Sequence, residues 1–158
     1  MNDFEKIESY PEFRKAASDL AKEYRLHEGA TTSLNYFWLA QDFAVIFLLS
    51  RDGADMRYVD LRSVPDPSMY FLGHFLVQRS RAKVEYPGPP ERLKPSTLIS
   101  AELAFFLGLL KGAPDVLQGN RKWLTQEYNL ERVPVPPTWR TELQAFQRRL
   151  AVRPEGKM

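Results

Sequence analysis

The sequence predicts an α+β fold in which a small antiparallel meander of three to four strands packs against several helices. Residues 34–61 form the most apolar stretch of the chain, and an Asp-Gly pair at positions 52 and 53 divides it. An Asp-Gly pair between two apolar runs indicates a β-hairpin. The segments on both sides carry apolar residues at helical spacing. We therefore expect helices to cover the sheet.

The composition is that of an ordinary globular protein and predicts a single domain over residues 1–158. The 22 Lys and Arg residues nearly balance the 20 Asp and Glu residues, leaving a net charge of +2. A balance this close does not require a nucleic acid or a membrane as partner. The chain contains no cysteine, which excludes disulfides and thiolate zinc sites. With no signal-like segment and no bilayer-length apolar run, we expect a cytoplasmic protein.

The first predicted element is a helix from about Tyr10 to Leu26. The sequence Ser9-Tyr10-Pro11-Glu12 fits a capping box in which Ser9 is the N-cap. Apolar residues then recur at helical spacing as far as Tyr24. Gly29 ends this region.

The meander follows at residues 34–61. Residues 34–40 are rich in aromatic side chains and are typical of a strand. Residues 43–50 have no polar alternation, which predicts a central strand covered on both faces. Residues 56–61 alternate between apolar and polar side chains, which predicts a half-exposed strand.

The remainder, residues 66–151, is predicted to be mostly helical. Asp66 and Pro67 favour an N-cap followed by the first helical residue, so residues 67–79 are interpreted as a helix, with a strand from Tyr70 to Val77 as the competing interpretation. A further helix is predicted to be capped by Ser96 or Thr97 and to end at Gly112. Asn120 is predicted to cap the next helix, and Thr138 to cap a last one from Trp139 to Leu150. Residues 133–137 contain three prolines and are expected to be extended.

No catalytic, cofactor-binding or metal-ligating residue is predicted. His27 and His74 each lack a second histidine at helical spacing, and no nucleophile elbow or phosphate loop occurs. The meander carboxylates suit turns and surface positions better than chemistry; they are Asp42, Asp52, Asp55 and Asp60. An enzyme site assembled from distant residues, such as His74 with a meander aspartate, stays open as an alternative.

Basic residues cluster at 79–83 and at 148–153. Such clusters could serve a nucleic-acid-associated accessory protein. Cations also accumulate at the ends of helices because the helix dipole favours them there. We prefer this second explanation and expect nucleic acid not to be the partner.

Aromatic and arginine side chains in the C-terminal third are typical of interface anchors. A partner interface is therefore predicted at Arg121, Trp123, Tyr128 and Trp139.

The predicted layout of a helix, a hairpin meander, a helix and a helical tail, together with two segments, resembles small bacterial immunity-type proteins that are encoded beside polymorphic or contact-dependent toxins. The two segments are residues 113–120, with the sequence APDVLQGN, and residues 66–79, which end in FLVQR. The resemblance covers about half of the chain. It implies a non-enzymatic protein that neutralises a cognate toxin by occluding it, through a protein–protein interface and without a cofactor.

Overall fold

The computed structural model describes residues 6–50, 52–62, 67–80 and 95–152. Its centre is an antiparallel sheet of six strands whose spatial order follows the chain. The predicted α+β class is confirmed, but the predicted three to four strands are too few. The strands are β1 (His27–Gly29), β2 (Tyr36–Leu39), β3 (Phe43–Ser50), β4 (Gly53–Asp60), β5 (Ser68–Tyr70) and β6 (Arg132–Pro134).

The helices surround this sheet on both faces. A 3-10 turn at Ile7–Ser9 precedes the first of them. They are α1 (Pro11–Glu23), α2 (Leu72–Ser80), α3 (Pro95–Lys111), α4 (Pro114–Leu117), α5 (Lys122–Gln126) and α6 (Pro137–Val152). Among the described residues, no helix combines the length and the apolar character needed to cross a membrane.

The hairpin of β3 and β4 is the longest pairing in the sheet. It runs from Phe43 opposite Asp60 to Ser50 opposite Gly53. Gly53 has a φ of +134°, which a residue without Cβ adopts at little cost. The Asp-Gly signal therefore marked the hairpin correctly.

Alternating side chains of the sheet build two separate cores, because successive strand residues point to opposite faces. One face, which includes Tyr36, Phe47 and Tyr58, packs against α1 to α5. The other face, which includes Phe37 and Ile46, packs against α6. The prediction that β3 is covered on both faces is confirmed. The prediction that residues 56–61 are half exposed is wrong for β4, because α6 covers its second face.

The three additional strands explain the errors in the strand count. His27 lies in β1, beyond the end of α1 at Glu23, so the predicted helix is too long. The helix predicted over residues 67–79 starts only at Leu72, because Ser68–Tyr70 is a strand; the competing strand over Tyr70–Val77 is wrong beyond Tyr70. The extended Pro-rich segment is confirmed as far as Pro136, but Pro137 begins α6. Residues 66–151 are thus less helical than predicted.

Only part of the predicted helix capping is present. α1 begins after Tyr10, with no side-chain cap, so Ser9 is not the N-cap. Ser96, Thr97 and Thr138 lie within helices rather than before them. The N-cap of α5 is Arg121 rather than the predicted Asn120, although Asn120 Oδ1 accepts a hydrogen bond from the N–H of Lys122, the first residue of α5, at 2.9 Å. The predicted N-cap at Asp66 lies outside the described residues.

Candidate functional site: a cleft at the hairpin tip

An open cleft of about 560 Å³ lies between the tip of the β3–β4 hairpin and helix α2. The strands contribute Leu48, Ser50 and residues 52–55 and 57. Helix α2 contributes Gly73, His74 and Val77. We call it the hairpin cleft. It brings His74 together with two of the four meander carboxylates, Asp52 and Asp55, as the alternative enzyme hypothesis requires.

Two side chains of catalytic type in the hairpin cleft, those of Ser50 and Asp55, are hydrogen-bonded within the hairpin itself. Ser50 Oγ donates to the carbonyl of Gly53 at 3.2 Å and accepts from the N–H of Asp52. Both carboxylate oxygens of Asp55 are also occupied, one by the N–H of Met56 and the other by the guanidinium of Arg57. A catalytic nucleophile needs a hydrogen bond to its general base. Ser50 and Asp55 make their hydrogen bonds to other groups of the hairpin and not to each other.

A buried carboxylate holds the tip of the hairpin against α3. Glu102 is only 6% exposed, and its Oε1 accepts a hydrogen bond from the N–H of Ala54 at 2.7 Å. A Cβ placed on Gly53 would lie 2.5 Å from the same oxygen. Glycine at position 53 thus allows both the turn and the close approach of Glu102.

Arg57 forms the most elaborate contact beside the cleft. Its guanidinium lies 4.7 Å from the ring centroid of Phe71, in cation–π geometry. The same guanidinium pairs with Asp55, with Nη2 at 2.7 Å from Oδ2, and approaches Met69 Sδ. Arg57 is therefore fixed on the α6 side of the sheet, next to Leu48.

A second polar cluster occupies the opposite end of the same hairpin. Asp60 is only 5% exposed and is paired by Arg62 and by Arg121. Arg121 also donates to the carbonyl of Asp42 at 2.7 Å and to that of Gly119. Burial alone would raise the pKa of Asp60, but the hydrogen bonds and charge of Arg62, with the charge of Arg121, hold that pKa below its ordinary value. This cluster joins the β2–β3 turn to the start of α5.

Three polar atoms around that cluster are buried without a hydrogen-bond partner. They are Tyr58 Oη, Arg121 Nε and Trp123 Nε1. Nε of Arg121 lies 3.5 Å from Asp60 Oδ1, which is an ionic contact rather than a hydrogen bond. Burial is the main reason why the pKa of Tyr58 is raised. The cluster is accordingly costly to bury.

The predicted basic clusters differ in how much charge they expose. Arg79 is paired with Asp115 and with Glu127, through two hydrogen bonds to each carboxylate. Its charge is therefore neutralised within the fold. Arg148 and Arg149 are exposed on α6. Residues 81–83 and 153 lie outside the described residues.

The four residues of the predicted partner interface do not share one surface. Trp123 of α5 is fully buried in the core, and the guanidinium of Arg121 is paired within the polar cluster around Asp60. Tyr128 is half-buried, and its hydroxyl binds the backbone of Phe71 and of Glu131. Trp139 packs on the opposite face of the sheet, with α6. Contact with a partner stays a prediction, although Trp123 has no exposed surface to offer.

Sequence reasoning missed Arg57, Phe71 and Glu102 as neighbours of the cleft. A buried glutamate in an otherwise apolar helix was the available signal, because carboxylates are rarely buried without a partner. Among the described residues, no group of three or more His, Asp or Glu side chains could hold a metal ion.

In comparisons with known proteins, no protein-family model matches this chain, and no match is found among the curated proteins or among the solved structures.

Proposed function

We propose that this chain is a non-enzymatic protein-binding module whose partner docks at the hairpin cleft. One observation carries the proposal: the side chains of Ser50 and Asp55 in the cleft are hydrogen-bonded within the hairpin instead of forming a reactive pair. Ser50 binds Gly53, and Asp55 binds Arg57. Such internal bonds fix the shape of a surface before binding, which lowers the entropy lost on association.

The lining of the cleft suits a protein partner. Leu48 and Val77 are apolar and only partly buried. Arg57 stacked on Phe71 adds an arginine and an aromatic ring beside them. Arginine and aromatic side chains are enriched at protein interfaces, where a few anchors carry most of the binding energy. His74, which is exposed, supplies a polar contact at the rim.

The particular role that we propose is that of an immunity protein in the bacterial cytoplasm, which neutralises a cognate toxin by occlusion. The support is the resemblance of residues 113–120 and 66–79 to proteins of that type. Part of the second segment lies in α2, which contributes Gly73, His74 and Val77 to the cleft. The second segment and the proposed surface therefore overlap in α2, whereas residues 113–120 do not line the hairpin cleft.

Co-expression with the product of the adjacent gene, followed by size-exclusion chromatography and a growth assay, tests this role. We expect one co-eluting complex and rescue of growth. His74→Glu and Val77→Glu are expected to weaken the complex at least tenfold, because each places a charge at the interface. Arg148→Glu, at an exposed position of α6, is the control and is expected to leave binding unchanged.

Two results would contradict the proposal. Separate elution without rescue would exclude the adjacent gene product as the partner and with it the immunity role. A complex that Arg148→Glu disrupts while the two cleft variants retain it would place the interface on α6 instead. A protein that binds nucleic acid with a steep salt dependence, again lost in Arg148→Glu, would favour the nucleic-acid alternative.

A further inference from the structure

The backbone of Glu28 points away from the sheet at its β1 edge. Ala40 N–H donates to the carbonyl of Phe43, so residues 36, 38 and 40 turn their backbone groups toward β3. In an antiparallel ladder these groups alternate between the two sides of a strand. Residues 37 and 39 therefore bond to β1, at positions 29 and 27, and the N–H and C=O of Glu28 between them face outward. Among the described residues, no further strand pairs with β1.

The opposite edge of the sheet, at β6, is blocked by prolines. Val135 N–H donates to the carbonyl of Pro67, so Val135 faces β5. The alternate positions Pro134 and Pro136 then face outward. Proline has no N–H, and it blunts the edge of a sheet against a further strand. The two edges therefore differ, because β1 turns an N–H and a C=O outward where β6 has proline.

β1 has only three residues, but contacts on both of its faces fix them. On one face the carboxylate of Glu28 accepts hydrogen bonds from Ser18 of α1 and from Tyr36 of β2. On the other face the ring of Phe37 lies over Gly29, so closely that a Cβ at this position would clash with the ring. All three residues of β1 are exposed or half-buried. The edge is thus accessible and already ordered, which lowers the entropy lost when another strand pairs with it.

An open cleft of about 290 Å³ continues from the end of β1. Residues 30–32 line one side of it, and residues 6–8 line another. Most of its side chains are polar and exposed or half-buried, and they are those of Lys6, Glu8, Thr31, Thr32 and Asn35. A strand that runs along β1 reaches this cleft with its next side chain, and the donors and acceptors there favour a polar one.

We propose that an extended, polar segment of another protein adds to the edge of β1 as a seventh strand. Its main chain exchanges hydrogen bonds with Glu28, and main-chain bonds of this kind supply the affinity in strand addition. A second copy of this chain fits less well, because two-fold pairing of β1 with itself puts Glu28 opposite Glu28, and like charges directly opposite each other are destabilising. This edge shares no residue with the hairpin cleft and does not depend on the partner proposed there.

The probe for the test is an acetylated and amidated hexapeptide of alternating threonine and glutamine, which is polar and uncharged. NMR follows the backbone amide signals of the protein at about 10 mM peptide, where even millimolar binding is detected. We expect shifts at residues 27–30 and hydrogen exchange that is about fivefold slower at the Glu28 amide. The same peptide with every amide nitrogen methylated keeps its side chains but cannot donate, and we expect it to bind at least about fivefold more weakly.

Ala30→Pro is the matching variant of the protein. Residue 30 is the next outward-facing position after Glu28, so proline removes an edge N–H without removing a bond to β2. We expect Ala30→Pro to weaken peptide binding at least about fivefold. Ala30→Val keeps the N–H and is expected to bind as the parent does. The methylated peptide tests the same bonds on the folded parent.

Four results would each overturn the inference. They are equal binding by Ala30→Pro and Ala30→Val, equal binding of the methylated peptide, shifts at residues 132–136 instead of 27–30, and a protein dimer in sedimentation that forms through β1 without peptide.

Discussion

Glu102 accepts a hydrogen bond from the backbone N–H of Ala54 at 2.7 Å, across 48 residues of sequence. The bond fixes the tip of the β3–β4 hairpin on α3 and thereby shapes one end of the hairpin cleft. Because Glu102 is almost completely buried, its carboxylate gives the amide of Ala54 an acceptor inside the fold.

Removal of this carboxylate is expected to destabilise the fold. We expect Glu102→Ala to lower the free energy of unfolding by about 1–3 kcal/mol, because it removes the acceptor of the partly buried amide of Ala54. Glu102→Gln keeps an acceptor oxygen and is expected to cost less. Urea denaturation measures both, with Glu131→Ala, at an exposed carboxylate, as the control. A Glu102→Ala effect no larger than the control would contradict the role assigned to this bond.

Gly53→Ala is expected to cost at least as much, about 2 kcal/mol or more, because a positive φ and a steric clash add together. The new Cβ would meet Glu102 Oε1. In the double variant Gly53→Ala/Glu102→Ala the clash is absent, so we expect a loss smaller than the sum of the two single losses. Strict additivity in thermal or urea unfolding would show that backbone strain alone accounts for the effect.

Tyr58 and Tyr36 provide a matched pair of buried tyrosines with opposite expectations. Tyr58 Oη has no hydrogen-bond partner, so Tyr58→Phe is expected to raise the free energy of unfolding by about 1 kcal/mol. Tyr36 Oη donates to Glu28 and accepts from Trp38 Nε1, both at 2.8 Å. Tyr36→Phe is therefore expected to lower the free energy of unfolding by about 1–3 kcal/mol. Calorimetry measures the free energy of unfolding of both variants. A change of the same sign in the two variants would refute this account.

Carboxylates with lowered pKa make the stability depend on acid pH. Burial acts to raise the pKa of Asp115 and of Glu28, but hydrogen bonds to Arg79 for Asp115, and to Ser18 and Tyr36 for Glu28, bring each net pKa below its ordinary value. Such groups stabilise the fold fully above their unfolded pKa, and that contribution disappears as the pH falls through the folded pKa.

We therefore expect stability to fall as the pH drops below the ordinary values of 3.8 for Asp and 4.5 for Glu. Asp115→Asn is expected to be less stable than the parent at pH 7, and the difference is expected to shrink on acidification. Urea unfolding at a series of pH values measures this. A difference that stays constant down to pH about 2, well below the unfolded pKa of aspartate, would exclude ionic pairing as the cause.

Arg25, two residues after the end of α1, has a φ of +59°, which is the left-handed conformation. Arg25→Gly is expected to raise the free energy of unfolding by about 1 kcal/mol, because glycine adopts this conformation without the Cβ penalty. Asn35 provides a comparison, with a φ of +62°. Asparagine tolerates this region, and the Asn35 amide also donates to the carbonyl of Leu49. Asn35→Gly is therefore expected to gain less or to lose stability. Thermal unfolding in which Arg25→Gly is the less stable of the two would contradict the assigned strain.

The sequence predicted best where the local signal was strong. The Asp-Gly pair marked the β3–β4 hairpin, and the apolar run of β3 predicted burial on both faces. The short strands β1 and β5 have three residues each, too few to carry a period. They are strands because β2 and β4 offer their edges, which is a tertiary effect. The candidate site was harder to predict, because Glu102 and His74 meet the hairpin only through the packing of α3 and α2.

The α+β class, the central hairpin and the near-neutral charge could be predicted from the sequence, because periodicity, turn chemistry and composition are local or additive properties. Which polar residues meet depends instead on tertiary packing. This packing places Trp123 in the core rather than on a surface and pairs Arg79 with Asp115 and Glu127. These contacts join residues far apart in the chain, and their geometry depends on how helices pack on the sheet rather than on any local pattern.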